Sequence, residues 1–89
     1  MFRVDWLEVA LDELTTLWMQ ADATQRQAIT AASHAIDQRL SSDPHNEGES
    51  RPGGRRITFV APLAVRFQVE PDGQTVTVLH VSMFRRRAR

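Results

Sequence analysis

Apolar residues change their spacing twice along this 89-residue chain, and the change limits the architecture more than any other feature. Over Phe2-Arg3-Val4-Asp5-Trp6 the repeat is two, that of a strand with Phe2, Val4 and Trp6 on one face. From Leu7 to about Ala21 it becomes three and four. Leu7, Ala10, Leu11, Leu14, Leu17 and Trp18 form a stripe, with Glu8, Asp12, Glu13 and Thr16 off it. The acids sit in the first two turns, where the helix dipole favours them. Asp22 or Thr24 offers an N-cap with a glutamine nearby, and a second helix runs to about Leu40, striped by Ile29, Ala32, Ile36 and Leu40. Ser41-Ser42-Asp43-Pro44 ends it, because the residue before proline avoids helical geometry.

Residues 41–55 read as a loop, and after them the repeat is two again. Residues 57–60 form one strand and residues 63–70 the next, with Leu63, Val65, Phe67 and Val69 on one face and Ala64, Arg66, Gln68 and Glu70 on the other. Pro71-Asp72-Gly73-Gln74 is a hairpin turn. Residues 75–83 are apolar on both faces in their middle, as a central strand is, and Phe84 leads into a basic tail at 85–89. A lone strand ahead of two helices reaches the later strands only through a long crossover, which the helices provide. The expected fold is therefore α+β, in the order β-α-α-β-β-β. It is one domain over residues 1–89, an antiparallel sheet with a helical hairpin packed on one face and the other face open.

Charge is divided along the chain. Residues 1–49 hold nine acids and three arginines, a balance of −6, whereas residues 50–89 hold two acids and eight arginines, a balance of +6. Such segregation points to an anionic partner for the second half. There is no cysteine, hence no disulfide, thiol nucleophile or thiolate metal site. No apolar run approaches the roughly 20 residues needed to cross a bilayer, and the acidic start is unlike a signal peptide. A cytoplasmic location away from membranes is expected. Neither a metal nor a cofactor is implied: His34 lies on the second helix and His45 in the loop, without acids or histidines at ligand spacing.

Residues 51–56, RPGGRR, join a glycine pair to three arginines. Glycines let a backbone approach a ligand, and guanidinium groups suit phosphate. A P-loop is excluded, since no Lys-Ser/Thr follows at a helix start. Trp6 and Trp18, spaced with Leu14 and Leu17, read as core, with a binding groove as the other reading. Glu47 and Glu49 read as solvated loop charge, with pairing to the loop arginines or service as a base as the other readings.

Taken together, the pieces VDWLEVALDEL, AIDQRLSSDPHNEGESRPGGRR, LAVRFQVEPDGQTVTVLHV and the basic end resemble, in order and spacing, the RelE/ParE superfamily of type II toxin–antitoxin toxins, the plasmid stabilisation proteins. The resemblance covers nearly the whole chain. It implies a small toxin neutralised by a cognate antitoxin, with RelE-like members cleaving messenger RNA at the ribosome and ParE-like members poisoning DNA gyrase. It implies a ribonuclease site on the open sheet face, with cations for phosphate and an acid–base group near the last strand.

Carried onto this chain, the resemblance makes Arg56, Arg66 and His80 the catalytic candidates, with Arg55, Arg85, Arg86 and Arg87 as nucleic-acid contacts. The family's hairpin arginine falls at Ala64, with Arg66 two residues on along the same face. The basic position after the last strand falls at Phe84, and the chain has no tyrosine. His80 has a second reading, as a strand histidine packed among Val78 and Val81. Two alternatives to endoribonuclease stand beside it: a non-enzymatic inhibitor of gyrase, and a catalytically degenerate homologue that binds only its antitoxin. Homo-oligomers and hetero-oligomers with the antitoxin are both compatible with the sequence.

Overall fold

In the computed structural model, which describes residues 1–84, the first strand pairs with the last. Strand β1 (Arg3–Trp6) runs parallel to β5 (Thr75–Met83), with Arg3 opposite Thr75 and Trp6 opposite Val78. Parallel neighbours require a crossover, here helices α1 (Glu8–Gln20) and α2 (Ala23–Ser42). The remaining strands are β2 (Glu49–Arg51), β3 (Arg55–Val60) and β4 (Leu63–Val69), and the sheet order is β1-β5-β4-β3-β2. All pairs but the first are antiparallel. The expected α+β order is observed, with one strand more.

That extra strand, β2, lies inside the stretch expected to be loop, 41–55. Its three residues, Glu-Ser-Arg, are all exposed, so no apolar alternation announced it; pairing with β3 alone makes it a strand. Ahead of it Gly48 has φ +68°, and a Cβ there would lie 2.1 Å from the Ile57 carbonyl oxygen. The close approach here is of backbone to backbone, at a glycine outside the RPGGRR stretch. Gly53 and Gly54 also have positive φ, but around both the space is open.

The helices cover one face of the sheet. Ala10 of α1 and Ile29, Ala32, Ile36 and Leu40 of α2 pack on Leu63, Val65, Phe67, Val76, Val78 and Val81. Each fully buried Val, Leu, Ile or Phe contributes about 1.5–3 kcal/mol, and with no disulfide this core holds the fold. The turn between the helices is closed by a capping box: Asp22 accepts from the Gln25 N–H at 2.8 Å, and Gln25 accepts from the Asp22 N–H at 3.1 Å. Arg26 closes the end of α1, donating to the Trp18 and Met19 carbonyls at 2.9 and 3.2 Å.

Trp18 is not core. It is 41% exposed, and its ring lies 4.3 Å from the Arg26 guanidinium carbon in a cation–π stack. Trp6 is half-buried against the core, and its indole N–H donates to Asp37 at 2.7 Å, tying β1 to α2.

Strand β5 contains a bulge. Arg66 pairs with His80, but the next residue, Phe67, pairs with Val78, so Leu79 has no partner on β4. The side-chain phase flips there: Val76 and Val78 face the helices before it, Val81 after it. What reads in sequence as apolar on both faces is a change of phase.

Two predictions follow from this packing. Gly48→Ala should destabilise by about 3 kcal/mol, combining left-handed strain with overlap of the Ile57 carbonyl, whereas Gly53→Ala should cost about 1 kcal/mol; urea unfolding of the two variants checks the difference.

At the β4–β5 turn, the Glu70 carboxyl is held below its ordinary 4.5, first by the Thr77 hydroxyl and then by Gln68. Asp72 is held below 3.8, first by the Gln74 N–H and then by Thr75. A depressed carboxyl gives stability that is present above its unfolded value and lost as pH falls through its folded value. Thermal unfolding should therefore show a flat limb above pH 4.5 and a falling one below. Thr77→Val should shallow that fall.

Candidate active cleft on the open sheet face

The face turned away from the helices carries a short grid of side chains. One row runs Ile57, Arg66, His80 across β3, β4 and β5, and the next runs Phe59, Ala64, Ser82. Because Ala64 and Ser82 are small, they leave a hollow of about 350 Å³, walled by Ile57, Arg66, His80 and Glu13. At one end Phe59 and Phe84 meet with ring centroids 4.6 Å apart, and both are exposed.

Arg66 and His80 are direct cross-strand neighbours, which sets their Cβ atoms about 4.5–5.5 Å apart. Among the described residues, the Arg66 guanidinium has no hydrogen-bond or ion-pair partner. His80 reaches the open face through the bulge and is 56% exposed on its side chain, so it is not packed among Val78 and Val81. Its Nδ1 lies 3.3 Å from Glu13 Oε2. The other oxygen, Oε1, accepts the Val81 N–H at 2.9 Å. Glu13 comes from α1 and reads in sequence only as one of the acids off the apolar stripe; no periodic signal ties it to residue 80.

Arg56 lies elsewhere. Its register partner is the core residue Phe67, which places it on the helix side of the sheet, away from Arg66. The guanidinium donates to the Glu47 carbonyl at 2.9 Å, the Gly48 carbonyl at 3.2 Å and Ser50 Oγ at 3.2 Å, so it fastens the turn into β2. Glu47 is likewise not solvated loop charge. Its carboxylate accepts from the buried Thr58 hydroxyl at 2.6 Å and lies 3.7 Å from Arg39. Arg51 pairs locally with Glu49 at 3.1 Å. Arg55 is exposed at the start of β3, opposite Gln68 on the open face. Arg85, Arg86 and Arg87 lie outside the described residues.

A second hollow, of about 360 Å³, adjoins the first between α1 and β5. It is lined mainly by apolar atoms of Val9, Leu17, Val81 and Met83. Among the described residues, no helix is long and apolar enough to cross a membrane.

No family model and no curated protein matches the sequence. Solved structures do match the fold. The chain is similar to the toxin–antitoxin complex RelBE2 from Mycobacterium tuberculosis, with 19% identity, a TM-score of 0.69, and coverage of 92% of this chain and 96% of that one. It is similar to the chromosomal ParDE system of P. aeruginosa at 16% identity and a TM-score of 0.67, covering 96% of this chain and 98% of that one. The isolated E. coli RelE toxin aligns at 19% identity and a TM-score of 0.66, covering 98% of this chain and 88% of that one. These likenesses establish that the chain has the fold of the RelE and ParE toxins.

The different surroundings of the two arginines give a direct expectation. Arg56→Ala should destabilise by about 1–3 kcal/mol through loss of the bonds to two backbone carbonyls, while Arg66→Ala should stay within about 0.5 kcal/mol of wild type. Chemical denaturation of both variants measures it.

Proposed function

We propose that this chain is the toxin of a type II toxin–antitoxin pair and that it acts on messenger RNA at the ribosome through the cleft of Arg66, His80 and Glu13. The observation carrying this reading is the conjunction, on the face the helices leave open, of a guanidinium without a partner among the described residues and an imidazole directly beside it. An RNA strand is cut without metal when its 2′-oxygen attacks the neighbouring phosphorus and the bond to the 5′-oxygen breaks. The attacking hydroxyl loses a proton, the leaving oxygen gains one, and negative charge grows on the phosphate oxygens. Arg66 is suited to that charge. His80 supplies one of the two proton transfers. The exposed Phe59–Phe84 pair offers a surface on which a base can stack.

The antitoxin partner is supported by apolar surface left uncovered on α1. Val9 and Leu11 are 45% and 47% exposed, and Val9 borders the groove beside β5. An apolar peptide segment fits such a groove. A second reading, a non-enzymatic toxin that blocks gyrase, is favoured by the position of Arg56. With that residue bound into the fold, Arg66 is the one guanidinium lining the cleft among the described residues.

Cell-free translation followed by mapping of transcript ends separates the two. Ribosome-dependent cuts are expected with wild type, reduced about 100-fold or more in His80→Ala and in Arg66→Ala. Arg56→Ala should lower activity only in step with its loss of stability. Intact transcripts alongside blocked supercoiling would establish the second reading instead.

A further inference from the structure

We propose that Glu13 is a positioning residue for His80: it fixes the ring in the Nδ1–H tautomer and so makes Nε2 the nitrogen presented to the cleft. The proposal rests on the functional reading above only for its effect on cleavage; the tautomer itself follows from geometry.

The carboxylate of Glu13 is held at both oxygens. Oε1 accepts the Val81 N–H at 2.9 Å, which anchors the group to the backbone one residue from His80. With that oxygen fixed, Oε2 has little freedom, and it lies 3.3 Å from Nδ1. A carboxylate only accepts hydrogen bonds, so Nδ1 must donate. In a neutral imidazole that donates from Nδ1, the free lone pair is on Nε2, at the far side of the ring. Arg66, the cross-strand neighbour, is a donor only, and it too is compatible with a lone pair on Nε2. The helix thus sets which ring nitrogen exchanges a proton with whatever occupies the cleft.

Glutamine at this position tests the idea, because its carbonyl can still accept the Val81 N–H. Its amide nitrogen then faces Nδ1 as a donor, and the ring is pushed to the Nε2–H tautomer. The full-length protein, labelled with ¹⁵N, is compared with Glu13→Gln by long-range ¹H–¹⁵N correlation of the His80 ring at alkaline pH, with the ring neutral. The expected result is Nδ1–H in wild type and Nε2–H in the variant, with hydrogen exchange of the Val81 amide within about two-fold of wild type, since neither species loses that bond.

In the translation assay, Glu13→Gln should reduce transcript cleavage about 100-fold or more, as expected when the nitrogen facing the substrate is in the wrong state. An Nε2–H ring in wild type overturns the proposal whatever the variant does, and so does one tautomer in both proteins. Undiminished cleavage by a variant whose tautomer has inverted overturns the positioning role. If the tautomers behave as expected but wild type cuts no transcript, the nuclease reading fails while the positioning stands.

Discussion

The parallel pairing of β1 with β5 is the constraint from which the rest of the structure is built. It requires a crossover, the crossover consists of two helices, and both helices then lie on the same face of the sheet. The pairing is also short. β1 has four residues and β5 has nine, so past Val78 one side of β5 has no neighbouring strand. The ladder ends with the Leu7 N–H donating to the Val78 carbonyl at 3.0 Å, and α1 begins at once. The helix therefore runs beside an open strand edge, and its Glu13 carboxylate takes the Val81 N–H that a longer β1 would have taken. A buried or half-buried N–H without an acceptor costs about 1–3 kcal/mol, so this contact has a structural basis independent of any chemistry. The site grows out of the same gap, because the oxygen left over is the one that meets His80.

At the other edge the polar side chains serve the fold. Among the described residues, Thr58 is the one buried polar residue, and its hydroxyl needs an acceptor. Glu47 provides it, and Arg39 offsets the charge of Glu47 from α2. Arg56 then gathers the carbonyls of Glu47 and Gly48, which have no strand partner at that point of the turn. A guanidinium with all three nitrogens engaged in this way is ill placed to follow a phosphate. Arg66 has no such duties among the described residues and lines the cleft instead. Two arginines ten residues apart thus have opposite roles, decided by which side of the pleat each occupies.

Much of this was legible in the sequence. The switch from a repeat of two to one of three or four located the helices, the choice of Asp22 or Thr24 as N-cap included the Asp22 that forms the capping box, and Pro71-Asp72-Gly73-Gln74 gave the hairpin. The core stripe of α2 was read residue for residue. What escaped has a common cause: it depends on pairing between distant segments. β2 is three polar residues made into a strand by β3, and the contact of Glu13 with Val81 spans 68 residues. The bulge at Leu79 is the clearest case. Strict alternation from Val76 and Val78 puts His80 toward the helices, which is the packed-histidine reading; one unpaired residue puts it on the opposite face. A one-residue offset inverts every side chain beyond it, and single-sequence periodicity has no means of locating it. Trp18 erred for a different reason. A stripe extended to the end of a helix says nothing about where the neighbouring element stops, and at Trp18 the ring is left partly exposed with Arg26 stacked over it.

The same gap beside β5 links the two hollows. The apolar groove and the polar cleft share Glu13, Val81 and Ser82 as walls. One carboxylate therefore borders both hollows: its Oε1 takes the Val81 N–H and its Oε2 meets the His80 ring. Neither hollow can be reshaped at this wall without disturbing a contact that also borders the other.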